Sequence, residues 1–176
     1  MRRAIIILFG LLVISFSYGQ ELRIGVLREL KTSQLSLEKY QGNYTINGDS
    51  SFKEKMETAK IELHPDGVKL LLPNGTHHIF SKITIIQDAK NSAVKLRSLQ
   101  PASKIHYYND NIEISNQGNR LRILNLLSMD NYLSGVVESE GGGGRDLEYY
   151  KVQALISRTY ALKNSKRHRK ENFQLC

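Results

Sequence analysis

Residues 132–162 read YLSGVVESEGGGGRDLEYYKVQALISRTYAL, and three different local chemistries follow one another there. The β-branched apolar start, Tyr132 to Val137, predicts an extended segment. Gly141 to Gly144 predict a loop, and a long helix is expected from about Asp146, a good N-cap with Glu148 in the favoured first turn. At ~100° per residue, Glu148, Lys151, Leu155, Arg158 and Leu162 fall within roughly a quarter-turn of one another. A solvated helix normally keeps charges and leucines on opposite sides. Here they share a face, and Glu140 stands just ahead of the loop that feeds it.

Working outward, the chain before this stretch alternates like strands. Leu22, Ile24 and Val26 alternate with Arg23 and Gly25, and Leu35 and Leu37 with Ser36 and Glu38. Asn47-Gly48, His64-Pro65-Asp66-Gly67 and Pro73-Asn74-Gly75 carry turn chemistry between short apolar runs. Ile79 to Ile86, Val94 to Leu99, Ile112 to Ile114 and Leu121 to Leu127 extend the set, and Ser128-Met129-Asp130-Asn131 reads as a polar break. The expected fold is α+β: an antiparallel, β-rich N-terminal portion followed by one long helix that carries the active-site face. At 176 residues the chain suits one domain with a real core.

The first nineteen positions read differently. Arg2 and Arg3 precede an apolar run from Ala4 to Ser17, and Ser17-Tyr18-Gly19 places small residues at −3 and −1 of a cut before Gln20. This is the pattern of a secretory signal peptide over residues 1–19. An uncleaved anchor is the rival, but the run is short for a span of about 20 residues. Loss of Arg2 and Arg3 takes the net charge from +8 to +6. A basic exported protein, in a periplasm or cell envelope, suits an anionic wall polymer or lipid surface rather than nucleic acid. A charge of this size also simply aids solubility. Cys176 is the single cysteine, so no intrachain disulfide can form.

The 132–162 stretch resembles the central motif of the SpoIID/LytB family, the stage II sporulation protein D relatives. The residues that carry the resemblance are Tyr132-Leu133, Gly135-Val136-Val137, Glu140, Leu147-Glu148, Lys151, Gln153-Ala154 and Arg158-Thr159-Tyr160-Ala161. The likeness is specific over about thirty residues and looser from Leu22 onward, making residues 20–176 one SpoIID/LytB-like domain. Tyr108 to Ile114 approximates the strand that leads toward the Glu in that family, without its usual glycine. The resemblance implies an exported peptidoglycan lytic transglycosylase. Hydrolysis of a glycoside usually takes two carboxylates. A transglycosylase manages with one, because the muramic C6 hydroxyl of the substrate is the nucleophile. By position, Glu140 is the expected acid/base, and Lys151 and Arg158 the expected substrate-binding residues of the groove. No cofactor is expected.

Each of these residues has a plainer reading. Glu140 could be an ordinary loop carboxylate. Glu148 suits a helix start or an ion pair with Lys151, three positions on, and is also a possible second carboxylate. Glu138 would point away from Glu140 if a strand continues there. The family usually has Met-Pro where this chain has Gly141 to Gly144, which bears on substrate preference more than on reaction type. Four glycines permit close approach of a sugar, or make a mobile rim. His77-His78 suits a strand surface, and the basic run Lys163 to Lys170 a solvated helix end or a contact for glycan or lipid headgroups.

His168 and Phe173-Gln174-Leu175-Cys176 resemble the start of a region that binds zinc in some family members. Two ligands do not make a structural zinc site, which needs four. Family domains also continue past this point into a further lobe, so the resemblance implies a truncated domain. That leaves two functional classes: the transglycosylase acting on glycan strands, and a non-catalytic wall-binding accessory of the amidase-enhancer kind, with a cell-wall amidase or other envelope protein as partner. A basic β-domain that binds lipid or polyanion is the remoter third.

Overall fold

Period-two alternation builds the strands. In Gln34–Gln41 the side chains of Leu35 and Leu37 are fully buried while Ser36, Glu38 and Tyr40 face out. The computed structural model describes residues 21–49 and 51–176; the expected signal peptide, residues 1–19, lies outside the described residues. With strands numbered in chain order, one six-stranded antiparallel sheet runs β1 (Glu21–Val26), β12 (Leu121–Ser128), β11 (Asn111–Asn116), β8 (Lys82–Gln87), β3 (Tyr44–Asn47), β4 (Lys53–Met56). The second runs β10 (His106–Asn109), β9 (Ala93–Gln100), β2 (Gln34–Gln41), β5 (Thr58–His64), β6 (Gly67–Leu71), β7 (His77–Phe80). Leu35, Ile61 and Leu96 of the second sheet share one buried cluster with Ile46, Ile85 and Ile114 of the first. The sheets therefore pack face to face, as a sandwich.

The α+β expectation holds, with differences that have physical causes. The Pro65-Asp66 turn is where the sequence places it, with His64 opposite Gly67. Ile79 to Ile86 is not one strand. The chain breaks at Ser81, whose backbone N–H and hydroxyl both bond Asp49, at 2.6 and 2.8 Å, and β7 and β8 enter different sheets. Tyr108 to Ile114 breaks likewise at Asp110, which takes a left-handed backbone (φ 62°).

The largest correction concerns Tyr132 to Val137, expected extended and found inside a helix, α1 (Met129–Gly141). The polar break is its N-terminus: the Ser128 side chain accepts the Asn131 N–H at 3.1 Å, and Asp130 lies in the first turn. The second helix, α2 (Leu147–Asn164), begins at Asp146, whose carboxylate accepts the Tyr149 N–H at 2.7 Å.

The helix pair is fastened to the first sheet at both ends. β12, buried on both faces, leads straight into α1. Asp110, itself buried, accepts from the Ser128 N–H at 3.2 Å and from Asn131 Nδ2 at 2.7 Å. After α2 the chain returns to β1. Gly25 N–H bonds Leu175 O at 2.8 Å, Gln174 N–H bonds Arg23 O at 2.9 Å, and Phe173 is buried against Leu124 and Leu126. Arg28 clasps Glu171 through both carboxylate oxygens, at 2.7 and 2.8 Å. Among the described residues no helix is long and apolar enough to cross a membrane.

Candidate active site

The face of α2 that meets α1 is made of small and polar residues. Ser157 and Ala161 are its buried positions, with Ala154, Gln153 and Tyr150 beside them at helical spacing. This seam, not the Glu148–Leu162 stripe, is the packed side. Leu155 and Leu162 on the stripe are exposed, as are the neighbouring Leu147, Val152 and Ile156. The shared face of charge and leucine seen in the sequence is thus the solvent side of α2.

Glu140 stands in the last turn of α1, exposed. Its partner is on α2: Gln153 donates from Nε2 to Glu140 Oε2 at 2.7 Å. Lys151 is elsewhere, bound to Glu148 Oε1 at 2.8 Å, the pair that spacing anticipated. At ~100° per residue, Lys151 lies about 160° and Arg158 about 140° around α2 from Gln153. Among the described residues neither cation bonds Glu140, and Arg158 is exposed. The structure therefore brings Glu140 together with Gln153 and places Lys151 and Arg158 on the outward flank. Glu138 follows Glu140's helix rather than a strand, and lies about 160° from it.

Tyr132 belongs to this site as well. Its hydroxyl pKa is raised, first by burial and then by the charge of Glu140 and by Tyr160. Sequence reasoning placed Tyr132 in the motif and gave it no role. The signal was there, since at helical spacing Tyr132, Val136 and Ser139 share one side of α1.

The glycine run is tied down at its start. A side chain at Gly141 would meet the Tyr150 ring at 3.0 Å, and Gly142 ends α1 with φ 61°. The Tyr150 hydroxyl donates to Gly142 O at 2.8 Å and accepts the Arg145 N–H at 3.3 Å. Tyr150 therefore staples the loop under Glu140.

A cleft of about 250 Å³ runs along α1, with Tyr132, Val136 and Ser139 on one wall and Val26, Tyr107 and Asn109 on the other. A larger one, about 480 Å³, lies at the sheet end of α1 beside Asp110, Asp130 and Asn131, away from Glu140. The chemistry favours the smaller, because it ends one residue from the motif carboxylate. His168 Nε2 comes within 3.6 Å of Cys176 Sγ. Among the described residues no group of three or more His, Cys, Asp or Glu side chains is arranged to hold a metal ion.

In comparisons with known proteins, no curated protein and no solved structure matches the chain. A family model does match, over residues 117–176, about a third of the chain, and the strands before residue 117 lie outside it. Those residues comprise β12, α1, α2 and the return to β1, and the matched family is SpoIID, described as stage II sporulation protein; the segment that carries Glu140 and both helices is thus similar to that family.

Proposed function

We propose that this is an exported lytic transglycosylase of peptidoglycan, with Glu140 as its single acid/base. The observation that carries the reading is the position of Glu140: an exposed carboxylate at the end of α1, oriented by Gln153 at 2.7 Å, within the SpoIID-matched segment. As acid, its carboxyl proton passes to the glycosidic oxygen while the bond from that oxygen to the muramic C1 breaks. As base, the resulting carboxylate takes the proton of the same sugar's C6 hydroxyl as that oxygen bonds to C1. A 1,6-anhydro end and a free hydroxyl on the departing sugar result, with no water consumed.

Lys151 and Arg158, on the outward flank of α2, are proposed to bind the strand's anionic groups. The exposed Leu147, Val152, Leu155, Ile156 and Leu162 suit a covering lobe of the kind the family resemblance implies, which would turn that flank into a groove wall.

The deciding experiment is digestion of purified, peptide-stripped glycan strands, with mass spectrometry for 1,6-anhydro ends. Anhydro products from the mature protein that vanish in Glu140→Gln support the reading. Absence of product, with strand binding intact, leaves the second reading. The exposed apolar face of α2 favours that one too: a wall-bound accessory that docks an amidase or another envelope protein there.

A further inference from the structure

Three surface features join end to end, the first of them the cleft of the candidate site. The first is the α1 cleft, whose helix wall stops at Ser139, beside Glu140, and whose strand wall includes Tyr107. The second is an aromatic pair. Tyr107 of β10 and Tyr40 of β2 meet edge to face, with ring centroids 4.9 Å apart, yet are 57% and 58% exposed. Lys95, held by Glu38 at 2.7 Å, lies 5.5 Å from the centre of the Tyr40 ring.

The third feature is a trough centred on Ser36. Its register neighbours are Arg97 on one side and Lys60 on the other. A small residue thus separates two cations whose backbones are roughly 10 Å apart, two strand spacings. Hollows of about 180 and 340 Å³ open on either side of Ser36 and share it as a wall. Lys39 and Lys95 on the same sheet are neutralised by Glu57 and Glu38. Arg97 and Lys60 are exposed, and among the described residues neither is ion-paired.

Exposed sheet lysines are usually just solvated. What argues otherwise is continuity: cleft, aromatic pair and unpaired cations lie along one path that starts beside Glu140. We propose that this path is an extended binding site for an acidic glycan strand. Sugar faces lie on Tyr107 and Tyr40, whose rings offer rigid apolar area with a polar tip, and carboxylates of the strand lie between Arg97 and Lys60 over the Ser36 hydroxyl. The inference rests on the proposed function for its ligand class, a wall glycan with muramic carboxylates. It does not need Glu140 to react.

The test uses the full mature chain carrying Glu140→Gln, so that bound strands are not cut, and titrates it with peptide-free muramyl strands of two lengths. Long strands are expected to bind on the order of tenfold tighter than the tetrasaccharide. Tyr40→Ala, or Arg97→Ala with Lys60→Ala, should abolish that advantage while the tetrasaccharide affinity stays. All three side chains are on the surface, and an unchanged melting midpoint checks that each variant folds. The advantage given by the cations should also fade with salt, and uncharged chitin strands should gain less from length.

Equal binding of long and short strands, or a length advantage that survives both variants, overturns the proposal. So does equal length gain by chitin. Anhydro product from the Glu140 protein without any length advantage would sink this site and leave the catalytic reading standing. Length-dependent binding without anhydro product would do the reverse.

Discussion

Gln153 reaches from α2 to the Glu140 carboxylate on α1, a bond of 2.7 Å between residues thirteen apart in the chain. It is a polar link between the last turn of one helix and the first half of the next, and it orients the carboxylate proposed as acid/base. Gln153→Ala should leave stability within about 0.5 kcal/mol, because the bond is at the surface. Anhydro product formation should fall about tenfold to a hundredfold, since a reacting group displaced by even 1 Å loses much of its rate. Paired melting and product assays read both numbers. An unchanged rate would remove Gln153 from the site.

The two sides of α2 should respond oppositely to substitution. Ser157 and Ala161 are 6% and 0% exposed in the seam with α1, so Ala161→Leu is expected to cost about 1–3 kcal/mol through overpacking. Leu155→Lys, on the exposed side, should change stability by less than about 0.5 kcal/mol. Urea unfolding of the two variants gives the comparison directly.

Asp110 gathers the start of α1. It accepts from Gln87 Nε2 at 2.8 Å as well as from Ser128 N–H and Asn131 Nδ2. Asp110→Ala strands these donors and puts alanine at φ 62°, and should cost about 2–4 kcal/mol. Asp110→Asn keeps a side chain at ease in that backbone region and one acceptor oxygen, and should cost less. Amide exchange of the Ser128 and Asn131 N–H groups reports whether α1 has loosened.

Acid should release the return to β1. Burial pushes the Glu171 carboxyl upward, but hydrogen bonds from Arg28 and His168 and their charges outweigh it, leaving the pKa below its ordinary value. A depressed carboxylate contributes stability that is present above its unfolded pKa, about 4.3, and is lost as pH falls through the lower folded value. Wild type should therefore exceed Glu171→Gln in stability near neutrality, with the difference shrinking below about pH 4. A gap that is constant across the acid range would contradict the linkage.

What the sequence made legible is what local chemistry decides. The Pro65-Asp66 hairpin, the Asp146 cap and the Glu148–Lys151 pair all rest on neighbours, and all were readable. The strand breaks at Ser81 and Asp110 were not, because each depends on a distant group: Asp49 for the first, the start of α1 for the second. Val136 and Val137 read as strand formers by propensity alone, while the Ser128 cap eight residues earlier had already committed the chain to a helix. The Glu140 site was half legible. Motif spacing located the carboxylate, but only the packing of α2 on α1 selects Gln153 as its partner and turns Lys151 outward.

Among the described residues β1 has no partner close to it in the chain. On one side β1 pairs with β12, about a hundred residues later, and on the other it bonds Gln174 and Leu175, about 150 later. Its docking closes loops of about 100 and about 150 residues, contacts that must await the later parts of a chain made from the N-terminus onward. Residues 21–26 meet their first partner once β12 has been made, and the second only after the helix pair has followed it. The segment bearing Glu140 is therefore held between the two partners of β1, one before it in the chain and one after it.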